Sequence, residues 1–400
     1  MDERIVIPTS DRTTRPEIER RPSRFRWLVG VGTAAALSLA LAQGPRLEWT
    51  EGEAPQRFLN AESVVATPGA FSMLAGPDGD GGVVWTTSDG TRWLQRPLPR
   101  IGYRIVYHPT GLFVVDGRSV AVIGPDADDT PVAVAIPDPI RIGNGSDRPG
   151  LVSGLGGLVA QTVEGDIFFA AGGRKFIEVV SAEEWRGSAD VTGFTSTILS
   201  VPPPRIRSTC QPVERRSPDI VPIVDAGSRL VAFVPETDPS IAWPVCEPIL
   251  WVSDDGTDWR PESAESRFPF GAYITDVDWR EGRYVAVGGI GLDEPAAWTS
   301  TDGAVWDVIE LPGLEEGGRL VGVEQGGLGW MILADRTDHA SRKGWFSTDG
   351  TCFRTVPDRV IGSSVAVNEE AVISIGRSPD PEVWVGALEG LDIDLGWCRR

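Results

Sequence analysis

Short apolar runs separated by turn-forming residues fill most of this 400-residue chain. The runs are rich in Val, Ile, Trp and Thr, and Gly, Pro and Asp bound them. This pattern is typical of β-strands joined by tight turns, whereas the three-to-four-residue apolar spacing of helices is scarce. The pattern therefore predicts an all-β fold.

One nine-residue motif occurs four times, beginning at Trp85, Trp251, Trp298 and Trp345. Each copy places an Asp-Gly pair between two short apolar segments. This is a strong β-hairpin signal, because Gly adopts a positive φ without steric cost. The last three copies begin 47 residues apart. A repeat of about 40–50 residues that holds four strands is typical of a β-propeller.

The pattern Ser-x-Asp-Gly-x-x-Trp resembles the Asp-box, or BNR repeat, of sialidase-like β-propellers. The resemblance implies that each Asp-Gly turn joins the third and fourth strands of a blade, and that the turn is structural rather than catalytic. The residues assigned to this structural Asp-box are Ser88, Asp89, Gly90, Trp93, Ser253, Asp255, Gly256, Trp259, Ser300, Asp302, Gly303, Trp306, Ser347, Asp349 and Gly350.

With each motif placed between strands three and four, the chain divides into about seven four-stranded blades, with six or eight as alternatives. The propeller is predicted over residues 58–398, and the span 181–219 reads as an insertion because it does not fit the repeat. Two ways of closing the ring stay open. Residues 391–397 can form the outermost strand of the last blade, or residues 60–67 can complete it.

An uncharged apolar segment near the N-terminus predicts a membrane anchor over residues 27–43. Several Arg residues precede it, so residues 1–26 are predicted to be a disordered cytoplasmic tail and the propeller to be extracytoplasmic. A cleaved signal peptide is the alternative, since Ala40-Leu41-Ala42 fits a cleavage site. Residues 44–57 are predicted to be a linker.

The net charge of the chain is −20. The first 26 residues contain seven Arg and five acidic residues and contribute +2, so the remaining residues carry −22. An acidic domain of this kind argues against nucleic acid as a partner. The four cysteines all follow residue 200, and no C-x-x-C motif is present. Disulfides are therefore predicted rather than a zinc site. The candidates are Cys210, Cys246, Cys352 and Cys398, with Cys210–Cys246 as the preferred first pair.

The loops between second and third strands are predicted to be long and acidic, and to lie on the face opposite the Asp-Gly turns. In sialidase-like propellers that face carries the ligand site. The loops are either solvated turns or a recognition surface. The candidate binding residues are Asp78, Asp80, Asp238, Asp293, Glu294, Asp335, Asp338, His339 and Asp380. No cofactor or metal is predicted. A calcium site at Asp78-Gly-Asp80 is a weak alternative, because the later bidentate carboxylate of a calcium loop is missing.

Catalytic residues cannot be carried over from the sialidases. The Phe/Tyr-Arg-Ile-Pro motif that supplies their first arginine is absent, and the nearest match is Tyr103-Arg104-Ile105-Val106. We therefore expect a single-pass, membrane-anchored β-propeller that acts as a binding or scaffolding module for a protein or glycan at the cell surface. A glycoside hydrolase on the same fold is the alternative.

Overall fold

The computed structural model describes the part of the chain that forms the β-propeller. It covers residues 47–54, 59–76, 82–98, 104–109, 111–115, 119–124, 132–135, 151–154, 157–161, 167–171, 177–180, 211–212, 222–235, 244–245, 248–262, 268–269, 272–291, 294–314, 318–335, 342–376 and 382–388. Regular structure within these residues is all β-strand except for one 3-10 helix, Asp358–Val360. The all-β prediction is confirmed.

The first three four-stranded sheets follow the chain without interruption. β1 (Leu47–Glu51) comes first in the sequence but pairs with the last strand. Sheet 1 contains β2 (Leu59–Thr67), β3 (Ala70–Gly76), β4 (Val83–Thr87) and β5 (Leu94–Pro97). Sheet 2 contains β6 (Arg104–His108), β7 (Gly111–Val115), β8 (Ser119–Ile123) and β9 (Val132–Ala135). Sheet 3 contains β10 (Leu151–Gly154), β11 (Gly157–Gln161), β12 (Ile167–Ala171) and β13 (Ile177–Val180).

The next three sheets include the regular 47-residue repeat. A two-stranded sheet of β14 (Gln211–Pro212) and β17 (Pro244–Val245) accompanies sheet 4. Sheet 4 contains β15 (Ile223–Asp225), β16 (Leu230–Pro235), β18 (Pro248–Ser253) and β19 (Arg260–Pro261). Sheet 5 contains β20 (Ala272–Arg280), β21 (Arg283–Ile290), β22 (Glu294–Ser300) and β23 (Asp307–Ile309). Sheet 6 contains β24 (Arg319–Gly326), β25 (Gly329–Asp335), β26 (Arg342–Ser347) and β27 (Arg354–Val356).

Sheet 7 closes the ring with strands from both ends of the described chain. It contains β28 (Ser364–Val367), β29 (Ala371–Ile375) and β30 (Val383–Leu388), and β1 forms its outer edge. β1 runs antiparallel to β30, with Leu47 opposite Leu388 and Glu51 opposite Trp384. The inner strands β2, β6, β10, β15, β20, β24 and β28 contact one another in that order, and β28 contacts β2. The described sheets therefore form a closed ring around a central axis.

Apolar clusters fill the spaces between neighbouring sheets. Between sheets 4 and 5, Phe233, Phe268, Trp298 and Trp306 pack together, and the Phe268 and Trp306 rings stack with centroids 4.5 Å apart. Similar clusters join sheets 5 and 6, sheets 6 and 7, and sheets 7 and 1. Side chains on both faces of the central strands are buried, as in β21, so burial between sheets supplies most of the stabilisation.

The closure of the ring differs from both sequence predictions. The outer edge of sheet 7 is taken by β1, and residues 60–67 belong to the inner strand of sheet 1. The prediction of a linker over 44–57 is therefore wrong for Leu47–Glu51. Leu47 and Trp49 alternate with polar residues and pack on the apolar cluster between sheets 6 and 7, which fixes this segment as a strand. Within the predicted insertion at 181–219, the described residues Gln211–Pro212 form the short strand β14.

The predicted tail and membrane anchor lie outside the described residues. Among the residues that are described, no helix is long and apolar enough to span a bilayer. The anchor over 27–43 and the cytoplasmic tail over 1–26 stay predictions.

Candidate functional site

The four Asp-Gly turns share one hydrogen-bond pattern. The glycine N–H donates to the hydroxyl oxygen of the residue three positions earlier, at 2.9–3.0 Å. One carboxylate oxygen of the Asp accepts N–H groups from the next two turn residues, at 2.7–3.1 Å. Each glycine has a φ between 71° and 82°, in the left-handed region that glycine adopts readily. The hydroxyl and the aspartate carboxylate of each turn are therefore both bonded within the turn.

The hydroxyl partner in the first turn is Thr87. The sequence analysis assigned Ser88 to this position, and that assignment is wrong, because Ser88 is exposed and Thr87 Oγ1 accepts the Gly90 N–H. Thr87 stands two residues before Asp89, as Ser253 stands before Asp255. The hydroxyl that accepts the glycine N–H is therefore the one two residues before the Asp, whether it belongs to Ser or to Thr.

Hydrogen bonds from the backbone stabilise the ionised form of each turn carboxyl. They lower the pKa of Asp255 to about 2, chiefly through the N–H groups of Asp258 and Thr257. The pKa of Asp89 is lowered further by the N–H groups of Arg92 and Thr91. The pKa of Asp302 is lowered first by the Val305 N–H. At Asp349 burial opposes the shift, but the bonds from Thr351 and Cys352 still lower the pKa.

Three of the four turn glycines, Gly90, Gly256 and Gly350, also lie tightly against the preceding sheet. A Cβ on Gly90 would come within 2.3 Å of Val385 in sheet 7, and one on Gly256 within 2.5 Å of Phe169 in sheet 3. A Cβ on Gly350 would meet Arg283 of sheet 5 at 2.8 Å. The turns therefore act as joints between neighbouring sheets, and their aspartates are occupied in holding the backbone.

On the opposite face, two of the predicted binding residues are described. Glu294 begins β22 and is exposed, and β21 extends to Ile290, so the loop between these strands is shorter than predicted. Asp335 ends β25 and pairs with Arg342 at 2.9 Å. Arg342 also donates to the Ser363 carbonyl, which links sheet 6 to the chain before β28. The other seven candidates, Asp78, Asp80, Asp238, Asp293, Asp338, His339 and Asp380, lie outside the described residues.

A group of carboxylates on the inner strands was not predicted from the sequence. Asp276 and Asp278 lie on β20, and Glu324 lies on the adjacent inner strand β24. Desolvation raises the pKa of Asp278 well above its usual value, and the negative charges of Glu324 and Asp276 add to this effect. Asp278 is partly exposed, but protein surrounds the carboxyl closely enough for desolvation to be the largest cause. The signal available in the sequence was the Asp-Val-Asp segment within a predicted inner strand.

The residues nearest to the sialidase pattern also lie on inner strands. Arg104 begins β6, Arg319 begins β24, and Tyr273 is the second residue of β20. His108 is buried at the end of β6 and packs edge-on to Phe113, with ring centroids 5.8 Å apart. Burial lowers the pKa of His108, so this histidine is neutral near pH 7.

Within the described ranges, no three His, Cys, Asp or Glu side chains are grouped so that they could hold a metal ion. The proposed calcium loop at Asp78 and Asp80 falls outside those ranges. Cys352 is disulfide-bonded. Cys210, Cys246 and Cys398 are outside the described residues, so the Cys210–Cys246 pair stays a prediction, although the adjoining residues Gln211 and Val245 pair directly in the two-stranded sheet.

Comparisons with known proteins identify the fold alone. No family model matches the chain, and no curated protein matches it. Many solved structures do match. The β-propeller domain of the Trilobed protease from Pyrococcus furiosus, described as having an open velcro topology, is 9% identical, with a TM-score of 0.50 over 88% of this chain and 99% of that one.

Two further matches have similar statistics. BBS1N, solved in complex with ARL6DN, is 10% identical, with a TM-score of 0.50 over 86% of this chain and 99% of that one. YCF48 bound to a D1 peptide is 11% identical, with a TM-score of 0.49 over 87% and 100%. The chain is a β-propeller. At these identities the similarity shows no more than the fold, and the resemblance to the Asp-box family stays a prediction from the motif.

Proposed function

We propose that this chain is a membrane-anchored, extracytoplasmic β-propeller that acts as a binding or scaffolding module for a protein or glycan at the cell surface. The observation that carries the proposal is the closed ring of inner strands with its saturated Asp-Gly turns. A ring of this kind holds its loops on a rigid frame, and binding residues concentrate on loops that a rigid scaffold positions.

A protein is the better supported of the two ligand classes. The aspartates of the Asp-Gly turns are bonded within their turns, whereas Glu294 on the opposite face is exposed. The structure of BBS1N with ARL6DN is a protein complex of a similarly folded propeller, and this supports a protein partner for the present chain. An acidic surface is suited to a partner with basic residues.

A photo-crosslinking amino acid placed at Glu294 in the full chain, expressed in its host cells, tests this proposal. Glu294 is exposed on the candidate binding face, and Asp258 is exposed at an Asp-Gly turn on the other face, which makes it the matched control. We expect a discrete cross-linked protein from position 294 and none from position 258. Equal products from both positions, or none from either, would contradict a binding face at this rim.

The hydrolase alternative is tested with the purified full chain and a panel of fluorogenic glycosides that includes a sialoside, with and without calcium. We expect no turnover. Turnover of any member would replace the binding module with an enzyme, and Arg104 would be the first residue to substitute.

A further inference from the structure

Cys352 forms a disulfide from a position at which the Asp-Gly turn does not need a cysteine. It lies in the turn of sheet 6, where its N–H donates to Asp349 Oδ1 at 3.1 Å, and it is half-buried and disulfide-bonded. The residues that make the same N–H contact in the other three turns are Arg92, Asp258 and Val305. Their side chains differ and are exposed, so the turn uses only the backbone at this position. The Cys352 sulfur therefore serves a contact outside the turn.

The two-stranded sheet of β14 and β17 assigns two of the other three cysteines to each other. Gln211 of β14 lies opposite Val245 of β17 in an antiparallel register. Extended by one residue on each strand, this register would bring Cys210 opposite Cys246. Residues that face each other in this way have Cα atoms about 4.5–5.5 Å apart, which is a distance that a disulfide spans. Pro248, two residues after Cys246, begins a strand of sheet 4, and sheet 5 separates sheet 4 from sheet 6 around the ring.

Cys398 is the remaining cysteine, and the end of β30 lies near the turn of sheet 6. Leu388, the last residue of β30, packs on the apolar cluster between sheets 6 and 7. Phe346 belongs to the same cluster and directly precedes Ser347, whose hydroxyl bonds within the turn. Ten residues lead from Leu388 to Cys398, and an extended chain of that length spans up to about 33–36 Å. Cys398 is therefore within reach of Cys352.

We propose that Cys352 and Cys398 form a disulfide that locks sheet 7, the sheet that closes the ring, against sheet 6. The loop closed by this bond contains β28, β29 and β30, the three strands that sheet 7 takes from the late part of the described chain. The fourth strand, β1, pairs with β30, and Gly52 and Glu53 connect it to sheets 7 and 1 by hydrogen bonds. Sheet 7 is thus fastened covalently towards sheet 6 and non-covalently towards sheet 1.

Reduction of this one bond opens the lock. A dithiol gives two electrons and two protons to the Cys352–Cys398 bond, which breaks into two thiols, and the dithiol itself becomes a cyclic disulfide. Closing the loop over 353–397 restricts the unfolded chain, so the intact bond favours the folded state of sheet 7. After reduction, sheet 7 keeps its apolar clusters with sheets 6 and 1 but loses this restriction. Sheet 7 should therefore open more readily in the reduced protein.

Tryptic digestion of the full chain without a reductant, after any thiols are alkylated, determines the pairing. Cleavage after Arg and Lys, but not before Pro261, places the four cysteines in four separate peptides, which are 208–215, 230–267, 344–354 and 378–399. Mass spectrometry should find 344–354 joined to 378–399, and 208–215 joined to 230–267. A link from 344–354 to either 208–215 or 230–267 would overturn the proposal, and so would recovery of 378–399 as an alkylated peptide.

Hydrogen exchange of two double variants of the full chain tests the lock itself. Cys352→Ser with Cys398→Ser removes the bond and leaves no unpaired thiol, and Cys210→Ser with Cys246→Ser is the matched control. Peptides from sheet 7 should exchange at least about tenfold faster in the first variant than in the wild type, and at the wild-type rate in the control. Equal rates in all three proteins would show that the bond does not hold sheet 7. If the first variant does not fold, the control variant with and without a dithiol replaces it, because only the proposed bond is left there to reduce.

Discussion

The first Asp-Gly turn and the turn of sheet 5 have the same motif but use its groups differently. In sheet 5 the Trp306 indole N–H donates to the Gly303 carbonyl of its own turn at 2.9 Å. In sheet 1 the corresponding Gly90 carbonyl accepts the Glu53 N–H at 3.1 Å, and Trp93 Nε1 donates to the Glu53 carbonyl at 2.6 Å. One internal bond is thus replaced by two bonds to the segment that follows β1.

The first Asp-Gly turn therefore bonds to the segment that closes the ring, and we call this turn the clasp. The Asp-Gly turns of sheets 4 and 5, whose tryptophan bonds within the turn, are called joints. Gly52 donates to the Val383 carbonyl at 2.7 Å, so residues 52 and 53 connect sheet 7 to the first Asp-Gly turn. The turn of sheet 4 resembles that of sheet 5, with Trp259 Nε1 donating to the Gly256 carbonyl at 3.3 Å. The Asp and hydroxyl contacts are common to all four turns. The use of the aromatic residue is what distinguishes the clasp from the joints.

The largest expected effect on the free energy of unfolding comes from the apolar core between sheets 4 and 5. Trp298 is fully buried, and its cross-strand neighbour Val308 is 65% exposed. Trp298→Ala should lower the free energy of unfolding by about 3–5 kcal/mol, because the cavity cannot collapse fully. Val308→Ala, measured by the same denaturant titration, should change it by less than about 0.5 kcal/mol. Equal effects would show that the core between sheets 4 and 5 is wrongly assigned.

A smaller effect separates the clasp from the joint directly. Trp93→Phe and Trp306→Phe each keep an aromatic ring and remove one indole hydrogen bond, which should cost about 0.5–1.5 kcal/mol. Trp306→Phe should cost more than this, because Trp306 is buried and the smaller ring leaves a cavity. Only Trp93→Phe should increase hydrogen exchange in residues 47–53, because only Trp93 binds that segment. If Trp306→Phe loosened residues 47–53 equally, the two turns would not differ in role.

The smallest expected effect is on the pH dependence of stability, and it concerns Asp255 in the turn of sheet 4. The pKa of Asp255 is lowered to about 2, so this group stabilises the fold above its unfolded pKa near 4, and the contribution is lost as pH falls from about 4 to 2. Asp255→Asn should therefore reduce the fall in melting temperature that the wild type shows as pH drops through that range. An acid limb as steep as that of the wild type would mean that Asp255 does not contribute.

The fold was predictable because short sequence patterns mark most of its hairpins. No such pattern marks β1, the strand that closes the ring. Asp-Gly pairs between alternating apolar runs specify hairpins within about ten residues of sequence, so the sheets could be placed nearly strand by strand. β1 has five residues among Gly, Pro and Glu, and its partner lies at the far end of the chain, so its sequence reads as a linker. The inner carboxylates were missed for a related reason. Asp276 and Asp278 bind a backbone edge 47 residues away, and no local pattern records that contact.

The pairing of β1 with β30 also sets an order of assembly. Thr50 and Val385, which share a hydrogen bond, are 335 residues apart, so the first described strand to leave the ribosome must wait for the last. Sheets 1 to 6 can each form as they are synthesised, since each is built from strands within a single stretch of the chain. Contacts of such long range form slowly, and until they form both β1 and the edge of β30 are open to other chains. A nascent copy of this protein is thus most prone to aggregation in the interval between its synthesis and the closing of its ring.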